Sequence, residues 1–133
     1  MASWAPDEEL DPVPEPLRRV LDVVLPDFQQ PAPIEVLFGF DPVTRLLCAR
    51  EPGVVGRTCF WFSQTFHFGW LVVDFADQLQ DQFFPESAGA WGEARPACPG
   101  HRHPAQAETV DGEAVWVCPK DRRTIARVGQ YGR

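Results

Sequence analysis

Apolar positions along the chain change period several times, and each change marks an element. Leu17, Val20, Leu21 and Val24 recur at helical spacing within residues 15–25, with Pro16 suited to the first turn and Pro26 to a stop. Ile34–Phe40 and Arg45–Arg50 flank Asp41-Pro42-Val43-Thr44, which predicts a β-hairpin. Glu51-Pro52-Gly53 and Gly56 mark the next turn, and a third strand is expected from about Arg57. Phe60, Phe62, Phe66, Phe68 and Trp70 then occupy alternate positions, the period of extended chain. They read as one long strand, or as two with a bend at Ser63-Gln64-Thr65. The aromatic face is expected to lie buried under a helix rather than to stack bases, and His67, on the opposite face, is not counted as a ligand. From Leu71 to Phe84 the period is helical again: Val72, Phe75, Ala76, Leu79 and Phe83 form one stripe, and Pro85 closes it. Asp74, Asp77 and Asp81 share a side of that helix and read as a solvated face, since an acid–base pair needs a cleft.

The ends of the chain have a different texture. Residues 1–14 are acidic and rich in proline, and read as a loose leader from which Trp4 and Leu10 can dock. Residues 86–96, with Trp91 among small residues, read as a seam in which the tryptophan pins two parts together. Beyond it, Ala107–Val110 and Glu113–Val117 are joined by Asp111-Gly112, a strong two-residue hairpin turn. The expected organisation is therefore a leader (1–14), a body (15–94) and a small module (95–133). The fold class is α+β: a short N-terminal helix, an antiparallel β-meander packed by one longer helix, and a C-terminal β-hairpin.

The module carries the chemistry. Cys98-Pro99-Gly100-His101-Arg102-His103 precedes the hairpin and Trp116-Val117-Cys118-Pro119-Lys120-Asp121 ends it, so folding brings Cys98 and Cys118 to one end. A tetrahedral zinc site takes four such donors from two short loops. These residues resemble a zinc ribbon, whose pattern is a Cys-Pro-x-Cys knuckle on each side of a hairpin. The resemblance covers about residues 95–130. His101 stands where the first knuckle has its second cysteine, and Asp121 stands at the matching place in the second. It implies Zn2+ in a structural role on Cys98, His101 and Cys118, with His103 or Asp121 as fourth ligand. The whole chain is also similar to small bacterial proteins that share its Asp-Gln helix, Trp-Gly connector and cysteine-containing tail, a likeness that brings no activity with it. A ribbon can also keep its fold without metal, through Val115, Val117 and Ile125 packed around Trp116.

Composition narrows the function further. The formal charge of -7 disfavours nucleic-acid binding by the chain as a whole. Residues 95–133 are nevertheless basic, with seven cationic and four acidic side chains. Arg102, Lys120, Arg122, Arg123 and Arg127 form the alternative, nucleic-acid-binding set. An acidic inhibitor or immunity-type protein is another alternative. One lysine against eleven arginines, with no asparagine, is the usage of a GC-rich genome. No signal-like or membrane-spanning run is visible, so a cytoplasmic protein is expected, with Cys48 and Cys59 as buried thiols. No nucleophile motif or phosphate loop is present, and a small metallohydrolase is the least supported reading. The first expectation is a non-enzymatic adaptor with an unidentified protein partner.

Overall fold

The apolar stripe at the start of the body becomes helix α1 (Leu17–Val24), whose Leu17, Val20, Leu21 and Val24 are all buried. Pro26 does not stop the chain there. It sits in the first turn of a 3-10 segment, Leu25–Phe28, which a proline tolerates because its missing N–H is unpaired in a first turn anyway. The computed structural model describes residues 4–30, 32–62, 67–87, 91 and 93–132. Its architecture is α+β, with two α-helices and two sheets among the described residues. None of the helices is long and apolar enough to cross a membrane.

The first sheet has the order β1-β2-β3-β4. The hairpin is where the sequence placed it, as β2 (Leu37–Asp41) and β3 (Leu46–Arg50) in antiparallel register. Asp41 organises its turn by accepting bonds from the Val43 and Thr44 N–H groups through Oδ1. Strand β1 (Ala5–Pro6) belongs to the segment expected to be loose. It pairs parallel with β2, Asp7 N–H donates to the Phe38 carbonyl, and Asp11 and Phe40 exchange backbone bonds. The expectation of a loose leader is thereby corrected for residues 4–14. Two strand residues alone would not hold it, but the Asp7 carboxylate is buried against Arg50 and Arg57.

The even-spaced aromatics are a second correction. Strand β4 ends at Phe60 (Thr58–Phe60), and helix α2 (Phe68–Gln78) starts three residues before the expected Leu71. Phe66 and the bend at 63–65 lie outside the described residues. His67 caps α2, its Nδ1 accepting the Gly69 N–H at 3.2 Å. Phe68 and Trp70 are therefore helical, and Trp70 is largely exposed. Past Gln78 the helix widens into a π turn (Leu79–Phe83) and ends in a 3-10 turn at Pro85 (Phe84–Glu86).

Helix α2 lies between the two sheets. Phe75 meets Phe38 and Phe60 of the first sheet edge to face, at 6.0 and 5.5 Å between ring centroids. The other side of α2 packs on β5 (Gln106–Val110) and β6 (Glu113–Val117) of the second sheet. That hairpin has the turn its Asp-Gly predicts, with positive φ at both Asp111 (52°) and Gly112 (81°). A third strand, β7 (Thr124–Arg127), completes this sheet beside β6. A Cβ on Gly69 would run into the Gly112 carbonyl, so glycine is what lets α2 sit directly on the hairpin tip.

One core serves both sheets. Trp116 is fully buried, 5.9 Å from the Phe28 ring, which itself stacks on Phe84 at 4.7 Å. Asp27, buried, accepts the Trp116 indole N–H at 2.7 Å and the backbone N–H groups of Gly129 and Tyr131. Arg95, also buried, donates to the carbonyls of Phe28 and Ala32. These groups join module to body. Trp91, expected to do so, is instead 74% exposed.

The cysteines of the first sheet also differ from expectation. Cys48 and Cys59 face each other across β3 and β4, with Cα atoms 4.1 Å apart, and are joined as a disulfide. Cys48 is buried and Cys59 exposed, so they are not a pair of buried thiols.

Candidate metal centre

Two short loops at one end of the second sheet carry the candidate ligands. The first, 98–103, is closed by its own backbone: His101 N–H donates to the Cys98 carbonyl and Cys98 N–H to the His103 carbonyl, both at 3.0 Å. Gly100, at φ 81°, supplies the left-handed residue that folds the chain back inside this turn. The second loop leaves β6 at Cys118. Cys118 N–H donates to the Arg123 carbonyl at 2.8 Å, and Arg122 N–H returns to the Cys118 carbonyl at 2.9 Å. Tyr131 steadies the first loop from outside, its hydroxyl donating to the Ala97 carbonyl at 2.6 Å.

These turns aim four side chains at one point. The donor atoms of Cys98, His101, His103 and Cys118 all lie within 4.8 Å of one another, a group that could hold a metal ion. The Cys118 sulfur is 3.8 Å from His101 Nδ1 and 3.5 Å from His103 Nε2, and the imidazole rings are 4.7 Å apart. Both cysteines are buried, His103 is half-buried and His101 is exposed. The three ligands named from the sequence are thus brought together, with His103 as fourth. Asp121 is outside the group. Its Oδ1 accepts the Arg123 N–H at 2.9 Å, which shapes the second loop, and its carboxylate also lies beside the Cys118 thiol.

The surroundings set the protonation states. Burial, and then the neighbouring Cys118, push the Cys98 thiol up to about 11. Burial lowers the His103 pKa, helped by His101 and Lys120. Without a cation the centre therefore favours a thiol at Cys98 and a neutral imidazole at His103. Loading a metal displaces the thiol proton and uses an imidazole lone pair that is already free. Backbone donation from Arg123 holds the Asp121 carboxyl below its usual range.

The five cations of the alternative set are exposed, but three are engaged locally. Arg122 donates to both oxygens of Glu108 at 2.7 Å, Arg127 pairs with Glu113 at 3.1 Å and Arg123 lies 4.0 Å from Asp121. Arg102 and Lys120 flank the metal loops. Such pairing reduces the positive field that phosphate binding requires. The acidic face of α2 is less solvated than expected: Asp74 and Asp77 are half-buried, and Asp77 is raised to about 6, by burial first and then by Asp81, Asp74 and Glu108. The helical spacing of the three aspartates did not disclose this, because β5 packs against α2 only in the folded chain.

Comparison of the chain with protein-family models, with curated proteins and with solved structures finds no match.

Proposed function

We propose that the protein binds one Zn2+ through Cys98, His101, His103 and Cys118, and that this ion is structural, as in a zinc ribbon. The convergence of four donors from two loops carries the reading. Bond lengths of ~2.3 Å to sulfur and ~2.0–2.1 Å to nitrogen put tetrahedral ligands about 3.3–3.8 Å apart. The Cys118-to-imidazole separations, 3.5 and 3.8 Å, fall in that range already. Two thiolates and two imidazoles suit zinc better than the hard cations, which take oxygen donors. Four protein ligands leave no open coordination position, which supports a structural rather than a hydrolytic role.

On this reading the protein is a non-enzymatic interaction protein whose zinc fixes the 98–103 loop against the second sheet. The exposed indoles of Trp61 (65%) and Trp91 support a protein partner, since tryptophan is enriched in interface cores. Elemental analysis of protein purified without added zinc tests the centre. About one equivalent of zinc is expected, lost in Cys118→Ser together with stability. Under about a tenth of an equivalent, with Cys118→Ser as stable as the parent, would sink the reading.

A further inference from the structure

A second concentration of charge beside a cavity lies where the 51–57 loop meets the leader. The Asp7 side chain, 1% exposed, is fully engaged. Its Oδ2 accepts from Arg50 Nε at 2.8 Å and Arg57 Nε at 3.1 Å, and its Oδ1 accepts from Arg50 Nη2 and the Glu9 N–H. One buried carboxylate therefore serves two guanidiniums, leaving one net positive charge. Glu9 answers it from the solvent side. Its Oε1 is 3.0 Å from Arg57 Nη2 and 3.8 Å from Arg50 Nη2, yet its side chain is 63% exposed. Exposed ion pairs of this kind hold weakly.

Two cavities of about 400 and 260 Å³ adjoin this pair, both lined by Arg50, Arg57, Val54 and Val55. The smaller also contains Ser87, whose hydroxyl is buried and has no hydrogen-bond partner among the described residues. A buried hydroxyl in that state lacks a bond that a ligand oxygen can supply.

We propose that Arg50 and Arg57 form a binding site for a small organic anion, a single carboxylate on a short apolar body, and that Glu9 is the built-in carboxylate it displaces. Each guanidinium has five N–H groups and the bonds above take two, so a bidentate carboxylate can be received without disturbing Asp7. With Glu9 displaced, Arg50 and Arg57 set against Asp7 leave one positive charge for a monoanion to neutralise. Glu51 and Glu86, which also line the smaller cavity, repel a multiply charged group such as phosphate. Val54 and Val55, exposed on the loop, give the apolar body a surface to lie against. The site stands apart from the metal centre and does not depend on it.

Calorimetric titration of the full chain with sodium hexanoate at constant ionic strength, with inorganic phosphate in a parallel titration, tests the site. Hexanoate is expected to bind saturably, about fivefold tighter to Glu9→Gln and about tenfold weaker to Arg57→Gln, with phosphate about tenfold weaker than hexanoate. Val55 is 99% exposed, so Val55→Asp brings a negative charge to the cavity without threatening the fold, and it too is expected to weaken hexanoate binding. Equal affinity for hexanoate in the parent and Glu9→Gln overturns the proposal. So does the absence of saturable binding to Glu9→Gln, undiminished binding to Val55→Asp, or phosphate binding as tightly as hexanoate.

Discussion

Asp77 shows how burial turns an ordinary surface carboxylate into a pH-dependent cost. Its folded pKa, about 6, lies above the unfolded value of about 3.9, so the folded chain holds the proton more tightly. That contribution to stability is complete below about pH 4, declines as the pH rises through about 6, and is absent above it. Asp77→Asn is therefore expected to raise stability at pH 7 by about 1–2 kcal/mol, and to flatten the pH dependence between about 4 and 6. Urea melts at several pH values check this; an unchanged slope would show that the proton is held elsewhere. The ligands are a contrasting case at the same scale. As candidates, Cys98, His101 and Cys118 were legible from spacing, because a hairpin brings the loops at its base together. That His103 rather than Asp121 joins the converging group was not legible, because it depends on how the two loops fold, which spacing does not disclose.

At the scale of elements, the contact between α2 and the tip of the β5–β6 hairpin depends on the absence of one methyl group. Gly69→Ala is expected to push the helix off the Gly112 carbonyl and cost about 1–3 kcal/mol, although alanine favours helix. A variant as stable as the parent, by thermal melting, would mean that the two elements separate without loss. The hairpin was readable because Asp-Gly has few other uses between two alternating runs. Two other elements were hidden for definite reasons. The start of α2 was obscured because alternate aromatics run on through Phe68 and Trp70, while the cap that begins the helix is the imidazole of His67. Strand β7 was missed because Thr124–Arg127 is a short segment with one large apolar side chain, and it forms by pairing with β6. The Cys48–Cys59 pairing likewise needs the register of β3 and β4, which no spacing discloses.

For the whole molecule, the shared core decides how the parts respond together. Because Trp116, Phe28 and Phe84 pack as one group, a single thermal transition is expected from fluorescence and from far-UV circular dichroism. Chelation of the proposed zinc is expected to lower the midpoint of that one transition. Two separated transitions would instead mean that the module melts by itself. Asp27→Asn removes acceptor capacity from a buried carboxylate that the Trp116 indole and the Gly129 and Tyr131 N–H groups donate to, and is expected to cost about 2–4 kcal/mol, read by urea denaturation. The sequence divided the chain at residue 95 because composition and charge change there. Side chains that cross the division, Asp27 to Trp116 and Arg95 to Phe28, leave no trace in either pattern.

The same aspartate bears on the order in which the chain folds. Three of its partners lie 89, 102 and 104 residues downstream, so these bonds form only once the second sheet has arrived. Phe28, the next residue, cannot be sealed from water before then. The closing step is thus a long-range encounter with a high entropic threshold, of the kind that slows folding. A cation gripping 98–103 and 118 spans a much shorter loop. In kinetic terms the proposed ion would deliver Trp116 to Asp27 on a segment already shaped, so metal supply would govern how fast the core closes as well as how firmly it holds.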